Sequence, residues 1–284
     1  MSSRCPDVVA GLLLAAAIGW TSAVHAIDAP GELRVCADPA NLPYSSADES
    51  GFENRIARVL ADELHARLRF AWEPQGRGFV RKTIGAGLCD VFIGVPAGFE
   101  RVATTRPYYR SGYVFVDRAD AGRPIESFDD PRLATLRVGV QLIGDDLAAT
   151  PPGYALAHRA AHVVGYPVYG DGPAAARAVD DLVAGNIDVA LLWGPQAGYF
   201  AAHSAVPLRL AAAAAPAELA AMPFDFAIAV GVRRGDADLL RALDAALSKR
   251  AADVTAILDA YSVPRLALQA TLGNAADGTQ RAMR

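Results

Sequence analysis

The sequence AGLCDV at residues 86–91 returns as AGNIDV at residues 184–189, and LRV at 33–35 returns at 136–138. The LRV phrase opens an apolar, β-branched run, whereas the longer phrase ends a helix at glycine and then begins a strand. This order is typical of a strand–helix–strand crossover, so the repeat predicts two similar α/β lobes. Small ligands are usually held in clefts between domains. The repeat therefore predicts a binding protein.

Residues 1–26 have the layout of a secretory signal peptide, with Arg4, an apolar run over 8–20 and a small-residue stretch that ends at Ala26. The alternative is a membrane anchor, but the apolar run is shorter than the roughly 20 residues that a membrane-spanning helix needs. We expect cleavage after Ala26 and a periplasmic protein that has no membrane span once the signal peptide is removed.

The composition argues against several classes of function. The formal net charge is −4, and no run of Lys and Arg is interleaved with aromatic residues, so nucleic acid is not an expected partner. The sequence has no Gly-x-Ser-x-Gly, phosphate-loop or dinucleotide motif. We therefore expect neither a cofactor nor an enzyme.

One histidine pair and one aspartate pair are the candidate metal ligands. His158 and His162 would share a helix face, but they lack the glutamate of an HExxH motif and a nearby third ligand. Asp145 and Asp146 could bind a hard cation, although two acids at a helix start are more simply explained by the helix dipole. No metal site is predicted.

The hydrophobic pattern divides the chain between the two lobes. After the signal peptide, we predict lobe 1 over 27–116 and 223–264, lobe 2 over 117–222, and a fraying C-terminal tail over 265–284. The last two amphipathic helices are left over once lobe 2 is complete, so we assign them to lobe 1. The chain then crosses between the lobes twice.

Within lobe 2, two stretches have less regular patterns. Residues 145–165 are rich in Pro and Gly and are predicted to be largely helical, with a short strand near Val168. The alanine run at 211–216 is predicted to be a solvated edge or loop.

Two cysteines remain after cleavage. Cys36 and Cys89 lie in two predicted strands of lobe 1, and an even pair in an oxidising compartment favours a disulfide. The bond requires Cα atoms closer than about 7 Å. Two buried free thiols are the alternative.

Several segments in order resemble periplasmic solute-binding proteins of the amino-acid-binding type. They are LRVCADPANLPY (33–44), AGLCDVFIG (86–94) and FERVATTRPYYRSGYVFV (99–116). The resemblance covers nearly all of the mature chain and implies the type II periplasmic-binding-protein fold, in which two α/β lobes flank a central cleft.

Longer motifs narrow this resemblance. VGVQLIGDD with TPP, LLWGPQAGYF, and GRGFVRKTIGAGLCDVFIGVPAG are similar to binding-protein homologues associated with the quinoprotein alcohol dehydrogenases of methanol-oxidation clusters. A quinoprotein alcohol dehydrogenase is therefore a suspected partner.

The resemblance also implies a set of ligand-binding residues in lobe 1. Asp38 and Tyr44 would lie on the loop after the first strand, and Arg101 would be the arginine that binds a carboxylate with its planar guanidinium. Alternatively, Arg101 is an exposed charge or pairs with Glu100. Arg77 could add positive charge to the cleft or be a solvated turn residue.

The remaining candidates are Tyr108, Gln141 and Trp193. Tyr108 and its neighbour Tyr109 either line the cleft or pack beside Pro107, and Trp193 is either a ligand platform or part of the core. Gln141 stands where small hydroxyl or glycine residues are usual in the family.

The strand that ends at Trp193 lacks the acid that holds a ligand's ammonium group in amino-acid binders. A buried ammonium without an acidic partner costs several kcal/mol, so a zwitterionic amino acid fits poorly. Two functions remain: an accessory protein that assists maturation or activation of the dehydrogenase, its cleft holding a partner peptide, a small molecule or nothing, and a transport receptor for an ABC permease. Dehydratases also use this fold, and Glu100 and Asp38 would be the acids for such a role.

Overall fold

The computed structural model describes residues 31–143, 150–157, 159–160, 162–168 and 172–268. The predicted signal peptide and its cleavage site lie outside the described residues, as do Asp145, Asp146 and His158.

The elements alternate between strand and helix along most of the chain. The helices are α1 (Phe52–Glu63), α2 (Phe79–Lys82), α3 (Pro151–Leu156), α4 (Ala174–Ala184), α5 (Gly194–Ala202), α6 (Ala237–Lys249) and α7 (Ala251–Ala260). The strands are β1 (Glu32–Ala37), β2 (Ala40–Asn41), β3 (Ser45–Ser46), β4 (Arg67–Trp72), β5 (Val91–Pro96), β6 (Ala103–Thr104), β7 (Tyr109–Arg118), β8 (Arg137–Leu142), β9 (His162–Pro167), β10 (Val189–Trp193), β11 (Leu208–Ala212) and β12 (Asp225–Val232).

Within the described residues, one ten-stranded sheet runs through both lobes in the order β4-β1-β5-β12-β7-β10-β8-β9, with β11 beside β7 and β6 beside β12. The two ends of the sheet repeat each other, because β1 pairs in parallel with β4 and β5, and β8 pairs in parallel with β9 and β10. The two α/β lobes predicted from the repeat are confirmed.

Two long antiparallel strands carry the sheet from one lobe to the other. The first residues of β7 pair with β12, from Tyr109 opposite Ile228 to Gly112 opposite Asp225. The rest of β7 pairs with β10, beginning with Tyr113 opposite Trp193. These strands are the two predicted crossings between lobes, whereas the residue boundaries of the lobes stay a prediction.

The repeated phrases meet in space at equivalent places in each lobe. The Arg34 guanidinium donates two hydrogen bonds of 2.7 Å to the carboxylate of Asp90. The Arg137 guanidinium grips Asp188 in the same way, at 3.0 and 2.6 Å. Each pair ties the first strand of a lobe to the turn before its second parallel partner, so the repeat is structural in both lobes.

The core of lobe 1 receives the last two helices. Leu243 of α6 and Leu258 of α7 are buried in one apolar cluster with Ile56 and Leu60 of α1. Burial of an i, i+4 pair such as Ile56 and Leu60 is the reason that this amphipathic segment is helical. The chain thus returns to lobe 1 after β12.

The largest difference from the sequence prediction lies in lobe 2. A helical region was predicted through residue 165, but α3 ends at Leu156 and His162–Pro167 form strand β9, parallel to β8. The β-branched pair Val163-Val164 favours a strand, and pairing with β8 decides it. His162 is therefore on a strand, which removes the shared helix face proposed for His158 and His162.

The alanine run begins as an edge strand. Ala211 and Ala212 belong to β11, which pairs only with β7 among the described strands. This agrees with the predicted solvated edge.

The two cysteines form a disulfide. The Cα atoms of Cys36 and Cys89 are 5.3 Å apart and their sulfurs are bonded, so the bond joins the end of β1 to the turn before β5. The predicted disulfide is confirmed, and the alternative of two free thiols was wrong.

The start of the predicted fraying tail is held against β7. The backbone N–H of Leu266 donates to the Arg110 carbonyl at 2.9 Å, and the Ser111 hydroxyl donates to the Pro264 carbonyl at 2.6 Å. Among the described residues, no helix is both long enough and apolar enough to cross a bilayer.

Candidate functional site

A cleft of about 660 Å³ lies where the crossing strands meet, and residues of both lobes line it. Its aromatic lining is Tyr44, Tyr109, Tyr113, Trp193 and Phe226. Asp38 and Glu53 bring carboxyl groups to the lining, and no Lys, Arg or His of the described chain takes part in it.

Asp38 organises the rim of the cleft in lobe 1. Its carboxylate accepts hydrogen bonds from the backbone N–H of Ala40 at 2.7 Å and of Gln75 at 2.6 Å. Asn41 adds a side-chain hydrogen bond to Gln75. The carboxylate therefore holds two loops of the rim together.

Tyr44 is fixed beside the start of α1. Its carbonyl accepts a hydrogen bond from the N–H of Glu53 at 2.9 Å. A side chain at Gly51 would place its Cβ 2.1 Å from that carbonyl oxygen, so only glycine allows this approach. The rings of Tyr44 and Phe52 meet edge to face at 5.2 Å.

Tyr44 also meets lobe 2 across the cleft. Burial raises the pKa of the Tyr44 hydroxyl well above its usual value, and a side-chain hydrogen bond with Trp193 partly opposes this. Trp193 packs edge to face against Tyr113 at 5.4 Å and Phe226 at 5.7 Å. The aromatic lining is thus continuous from one lobe to the other.

Glu53 brings a carboxyl group into this aromatic surround. The residue is partly exposed to the cleft, and burial of the carboxyl raises its pKa to about 8. A Cβ at Gly94 would lie 2.0 Å from Glu53 Oε1, so the carboxyl occupies the space that a side chain on β5 would take. Within the described residues, this carboxyl has no hydrogen-bond or ion-pair partner.

Gln141 positions Trp193 from the lobe 2 side. Its Oε1 accepts the Trp193 backbone N–H at 2.7 Å, and its Nε2 donates to Gln196 Oε1 at 2.6 Å. Gln141 is buried, with 5% of its surface exposed. The backbone N–H of Trp193, at the start of α5, has no partner within the helix, and the Gln141 amide oxygen supplies one.

The structure brings together four of the residues singled out from the sequence: Asp38, Tyr44, Gln141 and Trp193 all line the cleft. The others do not line it. Arg77 and Arg101 are exposed on loops. Tyr108 packs against the lobe 1 core, and its hydroxyl donates to the Ile93 carbonyl at 3.0 Å.

Sequence reasoning missed Glu53, and it named Tyr109 only as the neighbour of Tyr108. Glu53 follows Phe52 at the start of α1, where an acid is ordinarily explained by the helix dipole. Tyr109 is 3% exposed and lines the cleft in place of its neighbour Tyr108. The rings of the two tyrosines are adjacent, with centroids 5.0 Å apart, and the sequence alone does not say which of the two reaches the cleft.

No group of three or more His, Cys, Asp or Glu side chains in the described part of the chain is placed to hold a metal ion. Glu100, considered as a catalytic acid, is exposed and does not line the cleft.

No protein-family model matches the sequence. The chain is 32% identical to Protein MoxJ of Paracoccus denitrificans over 247 residues, which is 82% of this chain and 89% of that protein. It is 34% identical to Protein MoxJ of Methylorubrum extorquens, covering 83% of this chain and 82% of that protein.

Among solved structures, the chain resembles the periplasmic binding protein XoxJ from Methylobacterium extorquens AM1. The TM-score is 0.69 at 38% sequence identity, and the match covers 83% of this chain and 100% of that one.

Two lobes, two crossing strands and a central cleft together define a solute-binding protein of the type II periplasmic-binding-protein fold. The sequence identity and the coverage of the two MoxJ matches then define the family of this chain. The chain belongs to the MoxJ family.

Proposed function

We propose that this chain is a periplasmic accessory protein of a quinoprotein alcohol dehydrogenase and that it assists maturation or activation of that enzyme. The proposal is supported by membership of the MoxJ family and by the motifs similar to dehydrogenase-associated homologues. It is a binding role without catalysis.

The lining of the cleft is the observation that carries this proposal. A receptor for amino acids needs a cation for the ligand's carboxylate, and no Lys, Arg or His of the described chain lines this cleft. Arg101, which the family resemblance assigns to that role, is exposed on the loop after β5. The aromatic lining suits a ligand or partner segment that is not a zwitterion.

A transport receptor for a small solute is the second candidate. It is favoured by the cleft volume of about 660 Å³, since pockets of 300–1,000 Å³ suit small molecules. In that case the solute is not an amino acid, and an ABC permease is the partner.

A capture experiment separates the two functions. The chain beginning at residue 27, tagged at its C-terminus, serves as bait for periplasmic extract of alcohol-grown cells. We expect recovery of a quinoprotein dehydrogenase, identified by mass spectrometry and by its quinone absorbance. An amino-acid-binding protein carrying the same tag is the control.

The transport alternative predicts the opposite outcome. Recovery of a small solute, without the dehydrogenase, would overturn the accessory role.

A further inference from the structure

The Glu53 carboxyl has no hydrogen-bond or ion-pair partner among the residues that the structure describes. It lies at the wall of the cleft, against Gly94, where it is half-buried and open to the cleft on one side. A carboxyl group that is partly desolvated and unpaired gains free energy from a partner of opposite charge. Such a partner can reach it from the cleft.

The surroundings of Glu53 favour a cation. The side chains of Tyr44, Tyr109 and Trp193 line the same space. Aromatic faces attract ammonium groups through the ring quadrupole, and this attraction strengthens where water is excluded. A carboxyl group beside aromatic rings is therefore suited to an organic ammonium.

The charges of the cleft disfavour an anionic ligand. Asp38 and Glu53 both line it, and the described residues bring no cation to it. Asp38 already accepts two backbone N–H groups, so Glu53 is the carboxyl that is free to bind a ligand. A carboxylate-bearing ligand would find no cationic partner among the described residues of the cleft.

We propose that the cleft binds an organic cation, a primary ammonium on an apolar body, with Glu53 as its counter-ion. The ammonium belongs either to a free amine or to a lysine side chain of a partner segment, and the chemistry of recognition is the same. The inference deepens the proposed function, because it takes the cleft to be a working binding site.

Binding moves one proton. In the empty cleft Glu53 is protonated at neutral pH, because burial raises the pKa of its carboxyl to about 8. The titratable groups that face it are the hydroxyls of Tyr44, Tyr108 and Tyr109, whose pKa values burial raises well above the ordinary range. The ammonium enters charged, Glu53 loses its proton, and that proton passes to the buffer.

Three probes of nearly the same shape test the charge of the ligand: benzylammonium, benzyl alcohol and benzoate, titrated calorimetrically at pH 7. We expect benzylammonium to bind about tenfold or more tightly than benzyl alcohol, and benzoate not to bind. Heats in buffers of different ionisation enthalpy should show proton release. Affinity should rise about tenfold per pH unit below pH 8 and level off above it.

A second arm identifies the source of the ammonium. Nα-acetyl-lysine methylamide carries the same group on a peptide-like body. Binding of this probe but not of benzylammonium supports a partner lysine, and the reverse supports a free amine. Binding of neither overturns the proposal.

Glu53→Gln keeps the shape of the side chain and removes its charge, and Glu100→Gln is the matched control outside the cleft. We expect Glu53→Gln to lose both the tenfold preference for the cation and the proton release, whereas Glu100→Gln keeps both. An unchanged melting temperature near pH 5 shows that the variant is folded. Equal binding of benzyl alcohol and benzylammonium by the native protein would overturn the proposal.

The experiment is independent of dehydrogenase capture. A chain that binds benzylammonium but captures no dehydrogenase leaves the ligand assignment standing and removes the partner. A chain that captures the dehydrogenase but binds no ammonium probe supports the partner and overturns the ligand assignment.

Discussion

At residue 53, the protein places an acid in a half-buried position where none of the described residues supplies a cation. Burial raises the pKa of Glu53 from its ordinary value of 4.5 to about 8. The folded protein therefore holds a proton between these two pH values that the unfolded chain releases. Stability is unaffected below about pH 4.5 and falls as the pH rises towards 8.

This gives a stability prediction for Glu53→Gln. The free energy of unfolding of the native protein should fall relative to that of the variant between pH 5 and pH 8, and the difference should then level off. Urea unfolding at closely spaced pH values measures it, with Glu100→Gln as the control. A difference between native protein and Glu53→Gln that stays constant from pH 5 to 9 would contradict the raised pKa.

The two residues that decide the cleft's chemistry illustrate what the sequence could predict. Trp193 was recognisable because it ends a strand at the place where amino-acid binders carry an acid. Glu53 was not, because its role depends on Gly94 of a distant strand and on tyrosines contributed by β7. Local patterns show charge and periodicity, but they do not show which groups lose their water on folding.

At the scale of elements, the repeated phrases specify equivalent joints in the two lobes. Arg34–Asp90 and Arg137–Asp188 each connect a strand to the turn before its parallel neighbour. These pairs are partly exposed, so each contributes modestly to stability and mainly fixes geometry. Lobe 1 also has a disulfide between its two phrases, whereas lobe 2 has Gly139 and Ile187 at the positions of Cys36 and Cys89.

The disulfide should account for a large share of the stability of lobe 1. Its two cysteines are 53 positions apart, and closing a loop of that size stabilises a folded chain by about 4 kcal/mol in the chain-entropy model. The double variant Cys36→Ala/Cys89→Ala should lose about that much in urea unfolding. Native protein treated with a reductant should match it, and a loss below about 1 kcal/mol would show that the bond is not formed in solution.

The elements that the sequence predicted poorly are those that depend on pairing. Residues 162–167 lack a clean period and become β9 only because β8 offers a parallel edge. By contrast, α1 and α4 were predictable because each buries one apolar face, regardless of distant partners.

At the scale of the molecule, contacts between lobes are concentrated beside the crossing strands. Tyr199 of α5 in lobe 2 stacks on Tyr261 of lobe 1 at 5.7 Å, and Arg55 of lobe 1 supports this contact with its guanidinium 5.2 Å from the centre of the Tyr261 ring. Inside the cleft, Trp193 of lobe 2 packs edge to face against Phe226 of β12 at 5.7 Å. Aromatic contacts therefore join the two lobes.

The absence of a cation from the described lining predicts that amino acids will not stabilise the protein. A ligand present at 100 times its dissociation constant adds about 2.7 kcal/mol. Thermal unfolding with each standard amino acid should therefore show almost no shift. A clear rise in melting temperature with any of them would mean that the cleft still serves amino-acid binding.

The most direct test of the accessory role measures dehydrogenase activity in cells that lack this chain. We predict that the periplasm of such cells contains the quinoprotein dehydrogenase polypeptide but that its specific activity is much reduced, and that the chain supplied from a plasmid restores it. Full specific activity without the chain, accompanied by loss of uptake of a small solute, would contradict the account and favour a transport receptor.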